Sequence, residues 1–572
     1  MHRPSSSTLQ HVAQHVTSLR AAASRLTCIA RPFSTLGETG WNTSEYPLQR
    51  HSAGSLSELW QLAKPQTRRN HTWQRSCNNG RKSRSPGLRE CRVSREVGSA
   101  RIHSVCAGAR AYSQKRGSLQ RGVVLALGSN VGNRVEEIEK ACQAIDADPD
   151  MRIVDTSCLY ETEPMYVEDQ ERFVNGACEI ETSLSPLDLL DRLQAIEQGH
   201  GRVKLIDKGP RNIDLDIAIF RNEVVNSERL TIPHALMHER EFVLRPIIDL
   251  KAMSGWTNPR SGASLQQNMQ LFPTVDKSSM FSMTPLTGSK SLNATASTRK
   301  THVMSILNTT PDSFSDGGSN ALDIQSLRAT VASHIAAGAT MIDVGGQSSR
   351  PNAPDITAEE EIQRVLPAIA AIKSLPESAG IVISVDTYRA AVAEAAVKAG
   401  AHIVNDISAG MLDPQMLSTV ARLGCTYILM HMRGTPATMQ DPENCSYPAG
   451  VLPTMAKELN ERIEAAVEAG IRRWRMILDP GVGFAKTQDQ NLEILRSQRL
   501  QNVGLSSMPY LVGSSRKGFV GKITGVTEPK ERVWGTAATV TAAIQGGADI
   551  VRVHDVKEMA QVAKMSDAIY RH

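Results

Sequence analysis

The chain has 572 residues, 41% of them hydrophobic and 22% charged, with a formal net charge of +5. That length exceeds what one hydrophobic core organises and points to two to four domains of ordinary globular composition. No run approaches the length of a membrane-spanning helix, and the nine cysteines form no C-x-x-C pair, which argues for reduced thiols in a non-secreted protein and against a zinc site.

Residues 1–118 are strongly basic and rich in Arg and Ser, while the rest of the chain is mildly acidic. Val12, Val16, Leu19, Ala23 and Leu26 recur at helical spacing with Arg20 and Arg25 between them. An Arg-rich, acid-poor amphipathic N-terminus is the pattern of an organellar transit peptide, so residues 1–118 are expected to be a disordered presequence. The expected destination is the mitochondrial matrix, with the chloroplast as the alternative. Arg110–Ser113 and Arg31–Thr35 are rival processing sites. A basic tail that touches nucleic acid is the blander reading, but no nucleic-acid fold motif accompanies it. Residues 257–299 are polar, rich in small residues and without a period, and read as a linker. Folded segments are therefore expected at 119–256 and 300–572.

The first segment reads as strand, helix (133–147), strand (152–164), strand (172–184), helix (186–201), strand (212–220) and a further helix near 239–250. The order β-α-β-β-α-β is that of a ferredoxin-like α+β fold. Its last strand, "NIDLDIAIF", sets Asp214 and Asp216 on one face and Ile213, Leu215 and Ile217 on the other, because side chains at i and i+2 share a face. Two neighbouring carboxylates repel, and a divalent cation reverses that balance. A solvated strand face is the blander reading. Against it stand Arg202, Lys204, Arg211, His234 and Arg240, a basic set suited to phosphate groups. No G-x-x-x-x-G-K-[ST] is present, which excludes a P-loop kinase.

From residue 300 onward, eight short Val/Ile/Leu-rich strands alternate with helical stretches, among them 323–337, 358–373, 388–399 and 453–469. Eight β-α units over this length predict a (β/α)₈ TIM barrel. Asn308, Asp312, Arg350, Asp386, Asn405, His431, Asp479, Lys517, Arg552 and His554 all fall at or just after strand C-terminal ends, which converge on one mouth. Single Asp or Asn residues there could be helix caps, but Arg, Lys and His do not cap helix N-termini. Asp386, Asn405, Asp479 and Lys517 suit a heterocycle. Ser349, Arg350, Arg552 and His554 suit an anion such as diphosphate, with magnesium held through Asn308.

These motifs resemble two known families. "GSN" (128–130), "GR" (201–202), "GPRNIDLDI" (209–217) and "PH" (233–234) resemble 6-hydroxymethyl-7,8-dihydropterin pyrophosphokinase over roughly the whole of 121–250. "NTTPDSFSDGG" (308–318), "DVGGQSSRP" (343–351), "SVDTYR" (384–389), "NDIS" (405–408), "DPGVGFAKT" (479–487), "GSSRKGF" (513–519) and "VRVHDV" (551–556) resemble dihydropteroate synthase over the whole second segment. The first resemblance implies ATP-dependent pyrophosphorylation of the pterin with release of AMP. Two magnesium ions on Asp214 and Asp216, phosphates on Arg202, Lys204, Arg211, His234 and Arg240, and pterin against Thr162, Asn175 and Phe242 would serve that step. The second implies condensation of the pterin diphosphate with p-aminobenzoate, by a route in which diphosphate leaves first. Pterin would lie on Asp386, Asn405, Asp479, Phe484 and Lys517, and diphosphate on Asn308, Ser349, Arg350, Arg552 and His554 with one magnesium. Loops bearing Asp312, Phe314, Ser348 and Pro351 would close over the aminobenzoate.

Catalytic roles are thereby implied for Arg202, Arg211, Asp214, Asp216, His234, Asp386 and Lys517. Lys208 and Ala235 stand where bacterial kinases carry aromatic residues, and Gln347-Ser348-Ser349 replaces a Glu-Ser-Thr common in synthases. The expected protein is a bifunctional enzyme of folate synthesis with small-molecule substrates and neither nucleic-acid nor membrane partners. By resemblance it is also a homo-oligomer through its barrel. A methyltetrahydrofolate-dependent methyltransferase barrel and a non-enzymatic pterin-binding module are the alternatives. The anion pocket counts against the first and the Asp214/Asp216 pair against the second.

Overall fold

The computed structural model describes residues 118–571 apart from 166–168, 202–208, 273–278, 310–323, 349–354, 498–502 and 505. The expected presequence lies outside the described residues but for Ser118. So do Arg202, Lys204, Lys208, Asp312, Phe314, Ser349, Arg350 and Pro351.

The first half runs β1 (Gln120–Ser129), α1 (Arg134–Ala147), β2 (Met151–Thr156), β3 (Leu159–Thr162), β4 (Phe173–Thr182), α2 (Pro186–Gly199), β5 (Asp214–Phe220), a small hairpin β6 (Val225–Asn226) and β7 (Thr231–Ile232), and α3 (Glu241–Asp249). Helix α1 forms because Ile138, Ala141, Cys142 and Ile145 make one apolar stripe, and that stripe is buried. Helix α2 starts where Ser185 accepts a hydrogen bond from the Asp188 amide and Pro186 fixes the first turn. The sheet order β5-β1-β4-β3 is antiparallel throughout, with β2 also on β4. Residues 152–164 were expected as one strand and are two. Ser157 Oγ accepts from the Ala177 amide (2.8 Å) and donates to the Cys158 carbonyl (2.5 Å), which breaks the ladder there. One face of the sheet packs on α1 and α2 through Val123, Leu125 and Leu127; the other packs on α3 through Val124, Ala177 and Ile219.

The segment 257–299 is not an irregular linker. It contains α4 (Leu265–Met269), opened by a Ser264/Gln267 capping box, and the hairpin β8 (Met280–Thr287) and β9 (Lys290–Leu292). Strand β8 pairs antiparallel with β3, Tyr160 opposite Ser282, and extends the sheet. Its apolar residues are shared between two cores. Met283 joins the first half, whereas Leu286, with Leu292 of β9, enters the barrel interior beside Met304, Met341, Val382, Ile403, Ile428, Ile477, Leu511 and Ile550. The hairpin is therefore the stopper of the barrel's N-terminal end, and Thr426 Oγ1 donates to the Pro285 carbonyl at 2.6 Å. Burial on both faces explains the composition: Met280, Phe281, Met283 and Leu286 are spaced for two separate contacts and show no single period.

The barrel strands are β10 (His302–Asn308), β11 (Met341–Gly345), β12 (Val382–Asp386), β13 (Ile403–Asp406), β14 (Thr426–Met430), β15 (Met476–Asp479), β16 (Leu511–Val512) and β17 (Ile550–Val553). All are parallel, in the order β15-β14-β13-β12-β11-β10-β17-β16, and a Leu478–Tyr510 bridge closes the cylinder. Around them lie α5 (Ile324–Ala336), α6 (Ala358–Lys373), α7 (Ala390–Ala399), α8 (Met416–Leu423), α9 (Val451–Glu468), α10 (Gln488–Arg496), α11 (Gly518–Thr524), α12 (Val533–Gln545) and α13 (Val556–Tyr570). Among the described residues, no helix is long and apolar enough to cross a membrane.

The two halves share a core. The turn Arg473–Arg475 ahead of β15 inserts Trp474, with no exposed surface, into the apolar cluster of α1, β1 and β4. Arg473 donates to Asp155 (2.8 Å) and Glu464 (3.1 Å), while Trp474 Nε1 and Arg475 Nε both reach Glu139 (2.8 and 3.0 Å). Tyr160 Oη donates to Asp249 Oδ2 at 2.7 Å and lies 3.2 Å from Ser507 Oγ of the barrel.

Candidate active sites

Strand β5 carries Asp214 and Asp216 on its open side, with Leu215 and Ile217 buried beneath. Pairing aligns Tyr160, Asn175, Gly128 and Asp214 in one row across four strands, and Ala126 lies beside Asp216. A Cβ on Gly128 would stand 3.3 Å from Asn175 Oδ1 and 3.7 Å from Asp214 Cβ. The missing side chain leaves a slot between an amide and a carboxylate about two strand spacings, roughly 10 Å, apart. Asn175 Nδ2 donates to Thr162 Oγ1 at 2.8 Å, which fixes the amide orientation.

Arg211 Nη1 meets Asp214 Oδ2 at 2.5 Å, and its guanidinium lies 5.8 Å from the Phe173 ring centre. The buried Asn130 holds that arginine in place. Its Oδ1 accepts from the Arg211 amide (2.8 Å), its own amide donates to the Arg211 carbonyl (3.0 Å), and its Nδ2 reaches Gln170 (3.0 Å). His234 is anchored on β5 through its amide to the Ala218 carbonyl (2.9 Å), and its Nδ1 accepts from the Leu236 amide (3.3 Å). Burial, and then the positive Arg240, hold the His234 pKa below the ordinary imidazole value against the pull of Asp214. The ring is thus neutral at pH 7, with its proton on Nε2, a donor suited to a phosphate oxygen. Arg240 lies 5.9 Å from the centre of Phe242.

At the barrel mouth a second row forms: Asn308, Gly345, Asp386 and Asn405 are register partners across β10 to β13. Again a glycine sits between polar groups; a Cβ on Gly345 would stand 3.7 Å from both Asn308 Oδ1 and Asp386 Cβ. Below the row, fully buried Asp343 accepts from Arg552 Nε (2.6 Å) and Asn405 Nδ2 (3.0 Å) through Oδ2. Arg552 Nη2 donates to Asp386 Oδ2 at 2.6 Å. Asp343 Oδ1 has no hydrogen-bond partner among the described residues, and a buried acceptor of that kind calls for a donor. Burial raises the Asp386 pKa against the opposing charge of Arg552.

Asp479 ends β15, accepts from the Gly481 amide (2.7 Å) and has its pKa raised by burial against Lys517. The Lys517 ammonium donates to the Val482 carbonyl and lies 4.3 Å from the Phe484 ring centre; burial lowers its pKa to about 8. The loop between them needs its glycines: at Gly483 (φ +85°) a Cβ would meet Lys517 Cδ at 2.5 Å. Buried Lys486 ties the loop from below, donating to the Gly481 (3.1 Å) and Phe484 (2.9 Å) carbonyls. His431 is 3% exposed and locked between Lys486 (2.9 Å) and Glu458 (2.8 Å), so it supports the mouth from beneath. His554 takes Ser515 Oγ through both its amide (3.2 Å) and Nδ1 (3.1 Å). Gln347, where a glutamate is common, uses both ends of its amide, accepting from Arg389 (2.8 Å) and donating to Asp355 (2.9 Å). A glutamate there would face the Asp355 carboxylate. Ser348 follows it, half-buried.

Three contributors escaped sequence reasoning. Asp343 and Asn130 lie inside quoted motifs without an assigned role, and Trp474 lies outside them. For Asp343 the signal was present: a carboxylate inside the buried apolar strand "TMIDVGG" poses the same question as Asp214 and Asp216.

Comparison with known proteins adds an independent line. The family model for 7,8-dihydro-6-hydroxymethylpterin-pyrophosphokinase matches residues 124–252, and that for pterin binding enzymes matches 304–554. The chain is 41% identical over 472 residues to the mitochondrial folate synthesis bifunctional protein of Arabidopsis thaliana, covering 79% of this chain and 84% of the relative. It is 44% identical over 472 residues to a folic acid synthesis protein of Pneumocystis carinii, covering 82% of this chain and 62% of that longer relative. The chain therefore spans about six tenths of the fungal protein. A crystal structure of Plasmodium falciparum HPPK-DHPS with pteroate superposes with a TM-score of 0.65 over 79% of this chain and 96% of that one, at 22% identity, a likeness of fold.

Proposed function

The chain belongs to the family of bifunctional folate synthesis proteins, and from that membership we propose that it performs two consecutive reactions. In the first, ATP donates diphosphate to the hydroxymethyl group of 6-hydroxymethyl-7,8-dihydropterin and AMP leaves. In the second, the pterin diphosphate condenses with p-aminobenzoate to give 7,8-dihydropteroate and diphosphate. The observation that carries the reading is the pair of polar rows on one chain, each opened by a glycine: Asn175–Gly128–Asp214 and Asn308–Gly345–Asp386–Asn405. We assign the first step to 119–256, completed by β8 and β9 from 257–299, and the second to 300–572.

In the first site the pterin lies in the Gly128 slot against Thr162, Asn175 and Phe242. Arg202, Lys204, Arg211, His234 and Arg240 take the phosphates. Two carboxylates on an open face beside basic groups fit a hard divalent cation that keeps water and phosphate ligands. Magnesium, two ions here on Asp214 and Asp216 and one near Asn308 in the barrel, would neutralise phosphate charge.

In the second site the orphaned Asp343 Oδ1 and the acceptors of Asp386, Asn405 and Asp479 suit the donor-rich edge of a pterin, with Phe484 and Lys517 beside it. Arg552 already serves two carboxylates, so its guanidinium links the pterin floor to the diphosphate, which Asn308, Ser349, Arg350 and His554 complete. Asp386, held near positive charge, offsets the cation that develops as diphosphate departs. Asp312, Phe314, Ser348 and Pro351 close over the aminobenzoate.

The basic N-terminal segment directs the protein to mitochondria, to the matrix, with the plastid as the alternative; fusion of residues 1–118 to a fluorescent protein tests this. Homo-oligomerisation through the barrel is supported by Trp534, 85% exposed on α12, with Met565, Ile569 and Tyr570 exposed on the adjoining α13. Incubation of purified protein with hydroxymethyl-dihydropterin, ATP, magnesium and p-aminobenzoate should yield AMP, diphosphate and dihydropteroate. Methyl transfer from a methylated folate in place of pteroate synthesis would overturn the barrel assignment.

A further inference from the structure

A cavity of about 470 Å³ lies at the end of the barrel opposite its mouth, between the barrel and the first half. His302, the first residue of β10, and Asp549, just ahead of β17, form its barrel wall. Phe281 of β8, Leu292 of β9 and Arg172, next to β4, form the other, and Arg299 and Lys300 stand at its edge.

Its charges are arranged at two poles. On one wall the Arg172 guanidinium lies 5.1 Å from the Phe281 ring centre and pairs with Glu163 at 2.6 Å. On the other, Arg299 Nε pairs with Asp549 at 3.1 Å and its Nη1 donates to the Ala296 carbonyl at 3.1 Å, so the guanidinium is fixed in orientation. Lys300 is exposed, and no ion pair engages it among the described residues. His302 shares Nδ1 with Thr340 Oγ1 at 3.2 Å and is held neutral by burial, offering a polar edge without charge. The lining therefore carries three cations, of which Arg172 is paired with Glu163 and Arg299 with Asp549 while Lys300 is in excess, with Phe281 and Leu292 as apolar floor between the poles. The volume is that of a small-molecule pocket.

We propose that this cavity is a binding site for a small organic dianion with a flat apolar middle, one anionic group at Arg172 and the other at Arg299 and Lys300. Arg172 is followed directly by Phe173 and, two residues on, by Asn175, and Arg134 Nη1 donates to its carbonyl at 2.8 Å. An occupant competes with Glu163 for Arg172, so occupancy reaches the Thr162–Asn175 slot through the end of β4. That consequence rests on the kinase reading; the binding itself does not.

The test uses terephthalate as dianion and terephthalamide as its neutral counterpart. Each is titrated calorimetrically into the full chain with both candidate active sites filled by a non-hydrolysable ATP analogue, hydroxymethylpterin and pteroate. Terephthalate should bind once per chain, Lys300→Glu should weaken it at least tenfold, Lys300→Arg should restore it, and terephthalamide should give no saturable heat. Absence of saturable terephthalate binding, or equal affinity in Lys300→Glu, overturns the proposal. Separately, terephthalate should change the KM for the dihydropterin in AMP release with little change in kcat, and not in Lys300→Glu. Binding without that change refutes the link to β4 alone.

Discussion

Replacement of Trp474 by alanine tests whether the two halves form one cooperative body. Trp474 belongs by sequence to the barrel, ahead of β15, yet its ring fills the core of the first half with Leu125, Ile138 and Ile180. Removing a fully buried tryptophan costs about 3–5 kcal/mol. Loss of the Nε1–Glu139 bond adds little, because Arg475 still occupies that carboxylate. A loss of about 4 kcal/mol corresponds to a fall in Tm of roughly 4 °C for a single cooperative body of this size. Trp474→Phe keeps most of the hydrocarbon and should lose about 1–2 kcal/mol. The assay is thermal unfolding of the full chain, with AMP release and pteroate formation followed after graded heating. Both activities should fail together at the lower temperature. If Trp474→Ala leaves Tm unchanged, or only pteroate formation becomes heat-sensitive, the shared-core reasoning is wrong.

Asp216→Ala should abolish AMP release, at least about 100-fold, while pteroate synthesis from supplied pterin diphosphate continues; Lys517→Ala should do the converse, and an AMP-release assay beside a pteroate assay separates them. Gly128→Ala should raise the KM for the dihydropterin about tenfold without a fall in Tm, because its Cβ meets Asn175 Oδ1 at 3.3 Å in a slot that is otherwise open; an unchanged KM would mean the slot is not where the pterin lies. Burial pushes the Asp249 pKa up to about 7 against the Tyr160 and Cys158 hydrogen bonds. The folded state then holds a proton that the unfolded chain releases near pH 4, so this group's contribution falls as pH rises from about 4 to 7. Such a shift is worth at most about 4 kcal/mol. Asp249→Asn should therefore gain stability relative to the parent between pH 5 and 8, and parallel Tm curves would contradict this.

Local rules carried much of the reading. Strand β10 lies where "HVMSILN" was placed, and α6 spans 358–373 as expected, because parallel strands buried on both faces and helices with capped starts write their limits into short windows. The polar ends of β10, β12 and β15 were legible for the same reason: a barrel turns position along a strand into position in space. The hairpin β8–β9 was not, since its apolar residues are divided between two cores, Met283 in one and Leu286 and Leu292 in the other.

Sequence by itself determined which residues face which way: the two-residue period sets Asp214 and Asp216 together, and the order of eight strands sends Asp386, Asn405 and Asp479 to one mouth. What only the tertiary structure decided is which elements from distant parts of the chain meet. Asp343 became the buried hub for Arg552 and Asn405, Trp474 crossed into the other half's core, and Leu286 and Leu292 closed the barrel's base. Periodicity is a property of a segment and its own face, whereas these contacts depend on the packing of surfaces that no single window of sequence contains.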